Sequence, residues 1–133
     1  MEKIKAFFKK GDDFASNIGI KLLDVHYGYA KAMLKITDFH LNNAGVAHGG
    51  AIFTLADFAF AVASNSFGKV SLAINTSISF MHAVRAGEEL TAEAKLIDES
   101  KRLGTYEVVV KSGEKKVAFF TGTVYKTKSN VLD

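Results

Sequence analysis

The chain has 133 residues and a mass of 14.4 kDa, with 48% hydrophobic and 23% charged residues, which is enough apolar material for one core and too little length for two. It contains no cysteine, which excludes thiolate catalysis, cysteine-ligated metal sites and disulfides and predicts a reducing, cytoplasmic location. The formal charge of +3 is spread along the chain rather than clustered with aromatics as a nucleic-acid face usually is, so a small phosphorylated molecule fits it as well as RNA does, and no nucleic-acid partner is expected.

In chain order, residues 2–10 place Ile4, Phe7 and Phe8 at helical spacing between lysines. That stretch is too short for a signal-peptide core, and no later apolar run reaches bilayer length, so no membrane contact is expected. The chain is expected to be a single domain, 1–133, with residues 1–14 as a helical extension. Residues 19–27 and 29–37 read as two strands hinged at Gly28. Residues 49–66 carry apolar side chains on every side, which predicts one helix of about five turns that must be enclosed. Strand composition returns at 70–80, 89–97, 105–111 and 116–127, separated by turns at Arg85–Gly87, Lys101–Gly104 and Ser112–Lys115. Within 70–80, Val70, Leu72, Ile74, Ile78 and Phe80 are expected on one face and Ser71, Asn75, Ser77 and Ser79 on the other, as in a sheet packed on one side. The resulting fold class is α+β, a curved antiparallel sheet wrapped around one long central helix.

Chemistry concentrates in residues 41–60, LNNAGVAHGGAIFTLADFAF. Asp57 is the only charged residue of the predicted helix, and burying a carboxylate raises its pKa and costs several kcal/mol unless it is compensated. It is a helix position that faces solvent through a gap, a structural carboxylate receiving hydrogen bonds, or a catalytic group. His48, Gly49 and Gly50 precede the helix, where free N–H groups and the positive end of the dipole can polarise a carbonyl oxygen. His48 either acts in the site or holds the loop through a ring-to-backbone bond. Asn42 either orients a water or carbonyl or makes a turn. The four histidines, His26, His40, His48 and His82, lack metal-ligand spacing, so no metal is expected. Gly49 and Asp57 are eight residues apart, roughly 12 Å along a helix, so one subunit cannot bring both to one carbonyl. Two copies of the helix packed antiparallel about a two-fold near Phe53 would do so.

The run Asn42, Gly45, His48-Gly49-Gly50, Leu55-Ala56-Asp57 and Ala59-Phe60, followed by the strand ending Ser79-Phe80-Met81, resembles the hotdog-fold acyl-CoA thioesterases, specifically their phenylacetate-degradation (PaaI-like) branch. The resemblance covers about residues 15–127. It implies a hotdog fold and hydrolysis of an acyl-CoA, with CoA as part of the substrate and no separate cofactor. It also implies a homodimer with shared active sites, paired into a homotetramer. Carried over, Gly49 polarises the thioester carbonyl, Asp57 of the partner subunit is nucleophile or general base, and Asn42 places the carbonyl or the water. The same resemblance puts the CoA nucleotide near Arg85, Lys101 and Arg102. Gly50 and Phe53 border the substrate, with Phe53, Phe58 and Phe60 offering aromatic surface to an aryl-acetyl or medium-length acyl group.

The sequence departs from the pattern at two places. A serine or threonine found in some relatives is replaced by Ala73, and Met81-His82-Ala83 stand where an arginine or serine followed by proline is common. A hotdog enoyl-CoA hydratase or dehydratase using His48 is one alternative. A non-catalytic acyl-CoA-binding protein is another. The mid-helix Asp57 favours the thioesterase.

Overall fold

In the computed structural model, which describes residues 1–132, the lysine-flanked apolar residues form α1 (Glu2–Lys10), which buries only Ile4. A second helix, α2 (Asp13–Ile18), follows at once. Asp12 caps it by accepting the Ala15 N–H, and Gly19 ends it in the left-handed region at φ 107°. The helical extension therefore runs past residue 14, because Asp12 and Gly19 delimit a turn too short to show apolar periodicity. Strands β1 (Lys21–His26) and β2 (Tyr29–Lys35) meet at Gly28, whose φ of 73° suits the turn. A single 3₁₀ turn at Asp38–His40 and an irregular loop lead to α3 (Gly49–Asn65). Strands β3 (Lys69–Phe80), β4 (Glu89–Glu99), β5 (Leu103–Ser112) and β6 (Lys115–Asn130) complete the chain.

The six strands form one antiparallel sheet in the order β1-β2-β4-β5-β6-β3, and α3 packs across all of them. This is the expected hotdog arrangement. The closeness of helix and sheet follows from small residues on both sides, since Ala30, Ala32, Ala92 and Ala94 of the sheet and Ala56, Ala59 and Ala63 of α3 are all fully buried. At Gly122 the approach is closer still, because a Cβ there would sit 2.7 Å from the Phe60 ring. Among the described residues no helix is long and apolar enough to cross a membrane.

Two expectations need correction. The central helix is not enclosed all round, since Gly50 and Ala61 are exposed and Thr54 and Asp57 half-buried, which leaves an open stripe along α3. The apolar residues of β3 do not share one packed face. The register with β6 shifts between Ala73 and Asn75, so Ala73 pairs with buried Val124 while Thr76, Ile78 and Phe80 pair with Gly122, Phe120 and Ala118. This bulge at Ile74 inverts the alternation and turns Leu72 to the other side. Leu72, Ile74 and Phe80 are 56%, 60% and 51% exposed on an edge strand.

Candidate active site

The loop before α3 is held in shape by its own backbone. Asn42 N–H donates to Val46 O at 2.8 Å, Ala47 N–H to Val84 O at 2.7 Å and His48 N–H to His40 O at 2.7 Å. Asn42 Oδ1 accepts the N–H groups of Ala44 and Val46 at 2.9 and 3.3 Å. That makes the turn, and it leaves the amino group of Asn42 without a partner among the described residues, a donor available to a carbonyl or water. Gly45, at φ 79°, allows the chain to reverse.

His48 resolves the same way. Its Nδ1 accepts the Gly50 N–H at 2.9 Å, so the ring holds the loop and carries its proton on Nε2. The N–H groups of Ala51 and Ile52 both donate to His48 O, at 2.9 and 3.3 Å. Of the four N–H groups in the first turn, Gly49's is the one with no acceptor among the described residues. Gly50 is thus consumed by the cap, and the dipole end presents a single N–H. Gly49 lies under the Phe80 ring, where a Cβ would come within 3.2 Å. The cleft at this point, of about 310 Å³, is lined by Val46, Ala47, Gly49, Ile52, Phe80 and Val84, among others.

Two turns further along α3, Asp57 is half-buried and has no hydrogen-bond or ion-pair partner among the described residues. Burial first, and the nearby Asp12 carboxylate second, push its carboxyl above the ordinary value. It borders a different cleft, of about 250 Å³, between α2 and α3. Gly49 and Asp57 are therefore kept apart within one chain, as their spacing predicts. Phe53 lines the Asp57 cleft and packs edge-on against Phe120 with centroids 5.6 Å apart.

His40, which no motif pointed to, ties these two regions together. It is 6% exposed. Its Nδ1 accepts the Thr37 N–H at 2.9 Å and its Nε2 donates to Ile18 O at 2.7 Å, while its own carbonyl receives the His48 N–H. One residue thus holds the C-terminal carbonyl of α2 and the loop that presents Gly49.

The three cations expected near a nucleotide are split. Lys101 and Arg102 border a groove of about 690 Å³ together with Lys69, Lys126, Lys128, Phe67 and Tyr125. Ser64 also lines this groove, which places it at the C-terminal end of α3. Arg85 lies instead in the β3–β4 connection beside the Gly49 cleft, where its backbone N–H donates to Glu88 Oε2 at 2.6 Å. The contribution of β6 was legible as Lys126 and Lys128 two residues apart, hence on one strand face. Among the described residues no cluster of His, Asp or Glu could hold a metal.

Comparison with known proteins gives a consistent picture. Residues 44–119 match the model of the Thioesterase superfamily. A candidate esterase of Archaeoglobus fulgidus is 43% identical over 98% of this chain and 85% of its own length. The acyl-coenzyme A thioesterase PaaI of Escherichia coli is 35% identical over 88% of this chain and 84% of its own. The solved structure of the E. coli PaaI protein of the phenylacetic acid degradation operon superposes with a TM-score of 0.92 at 31% identity, covering 97% of this chain and 94% of that one. The structure of smu.793 from Streptococcus mutans bound to acetyl CoA superposes with a TM-score of 0.80 at 25% identity, covering 84% and 91%.

Proposed function

This chain belongs to the thioesterase superfamily and is a thioester hydrolase of hotdog fold; we propose that it hydrolyses an acyl-CoA to the free acid and CoA. The observation that carries the reading is the unpartnered, half-buried Asp57 on the helix whose first N–H, at Gly49, is also unpartnered. A raised carboxyl pKa suits a general base, because the group accepts a proton from water more readily. Asp57 takes that proton as the water attacks the thioester carbon. The Gly49 N–H holds the developing oxyanion, an interaction whose loss typically costs about 2.7–4 kcal/mol. As the C–S bond breaks, Asp57 returns the proton to the departing CoA thiolate. The amino group of Asn42 and the Nε2–H of His48 supply further donors at the rim.

The active unit is a homodimer. The roughly 12 Å between Gly49 and Asp57 along α3 calls for a second copy, and the bare β3 edge supports antiparallel pairing of β3 with its own copy. That pairing sets α3 antiparallel to its mate. It also brings the Lys69 end of one β3 beside the Phe80 end of the other, so the basic groove of one copy adjoins the Gly49 cleft of its partner. Arg85 then rejoins Lys101 and Arg102 across the interface, where all three meet the phosphates of CoA. The acetyl-CoA-bound neighbour supports this class of substrate.

The test is thiol release over a panel of short, long and aryl acyl-CoAs. Release from at least one is expected, and hydration of an enoyl-CoA without release would replace hydrolysis by the hydratase reaction. A single turnover in ¹⁸O-water then examines the role of Asp57. Label confined to the product acid supports the base, whereas label in the Asp57 carboxylate means that it attacks the carbonyl itself. The shared site is examined by mixing Asp57→Ala with Asn42→Ala after reversible dissociation. Half of randomly paired dimers are mixed and each has one intact site, so activity recovers to about one quarter of wild type. No recovery despite proven heterodimers would remove Asp57 and the Gly49 loop from a common site.

A further inference from the structure

Phe14 is 67% exposed, an unusual setting for an aromatic ring on an element that is otherwise tightly fixed. Asp12 caps α2, Gly19 closes it with N–H bonds to Ala15 O and Ser16 O, Ala15 is buried in the core, and His40 Nε2 grips the Ile18 carbonyl. The helix is therefore a wall held at both ends and not a loose extension, and Phe14 stands on the side facing α3. Between the two helices lies the cleft of about 250 Å³, to which α2 and its cap contribute Asp12, Phe14 and Ala15 while α3 contributes Phe53, Asp57 and Phe58.

Three aromatic rings thus surround Asp57, a half-buried carboxylate with no hydrogen-bond or ion-pair partner among the described residues. The water that Asp57 deprotonates is held against its carboxylate and must come within about 3–3.5 Å of the carbonyl carbon, so the acyl atoms next to that carbon enter the mouth of this cleft. The space is below the roughly 300–1,000 Å³ of sites that enclose a drug-sized ligand. It can take the acyl portion but not the CoA, and the basic groove is a separate space that begins at Ser64, about one turn of α3 beyond Ala61 of this cleft. A ring left in water on a rigid support gains apolar contact when an acyl group fills the space beside it.

We infer that α2 is the acyl-selecting wall of the active site and that Phe14 is its specificity-determining residue, closing the cleft over a short or flat aryl group and obstructing long chains. The inference rests on the acyl-CoA reading above. It assigns to residues outside the HGG and LAD motifs the choice of which acid is released.

The experiment compares wild type with Phe14→Ala and Phe14→Trp. Because the side chain is exposed, both variants are expected to fold, which circular dichroism and Tm verify. In Phe14→Ala the ratio of kcat/KM for decanoyl-CoA over acetyl-CoA is expected to rise by about tenfold or more, and phenylacetyl-CoA to lose ground; Phe14→Trp shifts the ratio the opposite way. The inhibition constant of free CoA stays unchanged. Ratios within about twofold of wild type in both variants would overturn the inference, as would a change in CoA inhibition that accounts for the whole effect. Dissociation constants of ethyl-CoA and decyl-CoA thioethers give a second readout that needs no turnover. If wild type releases no thiol from any substrate, the proposed reaction fails, and the thioether selectivity of the same variants still decides whether Phe14 forms the wall.

Discussion

The two edges of the sheet are built to opposite rules. At one end β1 is six residues long, carries Lys21, Asp24 and His26, and is bulged between Leu22 and Asp24. Helix α1 packs beside it, with Lys5 Nζ 3.9 Å from Asp24 Oδ1. Shortness, charge, a bulge and a cover are the devices by which proteins keep an edge strand from pairing with another chain. At the other end β3 is twelve residues long, has no charged residue from Val70 to Met81, and exposes Leu72, Ile74 and Phe80. One edge is defended and the other is offered, and only the offered one runs from the basic groove to the Gly49 cleft.

The largest effect is expected from placing a charge on the offered edge. Ile74 is close to the middle of β3, so a two-fold pairing of β3 with its copy sets two Ile74→Lys side chains near each other, where like charges repel. We expect the variant to sediment as a monomer and to lose activity to background, as the proposed shared site requires. Leu23→Lys on the defended edge should change neither sedimentation nor kcat. If Ile74→Lys stays dimeric, the interface lies elsewhere; if it becomes monomeric with full activity, the site is not shared.

Asp57→Asn separates assembly from chemistry by leaving both edges intact. The expected loss in kcat is about 10²–10⁴-fold with the dimer unchanged. If Asp57 is the base, activity requires its ionised form, so the acid limb of the kcat/KM profile should lie above the ordinary carboxylate range, shifted by burial and by Asp12. The same shift has a stability counterpart. A carboxyl whose pKa is higher folded than unfolded binds its proton more readily in the folded state, so stability declines as pH rises through that window. The asparagine has no such charge to bury, and a higher Tm than wild type at neutral pH is expected. A variant that is both inactive and less stable would make Asp57 a structural group.

The smallest effect concerns the groove at the start of β3. Lys101→Ala combined with Arg102→Ala should raise KM by about tenfold at low salt and leave kcat within twofold, since phosphate contacts lie far from the thioester. The difference should vanish with a substrate that lacks the nucleotide. Unchanged KM would return both residues to the status of solvated turn charges.

How much of this was legible beforehand differs by element. The bounds of α3 followed within one residue and those of the later strands within three, with β4, β5 and β6 each running further than expected, because composition and turn residues are local signals while strand ends depend on pairing. Asp57 stood out because a charge in an apolar helix is anomalous wherever the helix is placed. The exposure of β3 could not be read, since alternating apolar residues look the same whether the sheet's own helix or a second copy covers them, and the Ile74 bulge depends on pairing with β6. The separation of Arg85 from Lys101 and Arg102 is likewise a matter of topology, with β4 running the length of the sheet between them. Helix α2 left a trace in Asp12 and Gly19, but six residues are too few for periodicity to register. His40 left none, because its role exists only once the Thr37 N–H and the Ile18 carbonyl have been brought to either side of its ring.

The open β3 strand has a kinetic consequence. If a lone chain holds only halves of two sites, velocity follows the number of pairs and not the number of chains. Above the dissociation constant of the pair, rate is proportional to protein concentration. Below it, the population of pairs, and with it the rate, falls as the square of the concentration, so each tenfold dilution costs about a hundredfold in velocity. Progress curves started by diluting a concentrated stock should then slow with time as pairs separate, at a rate set by strand release and independent of the substrate consumed.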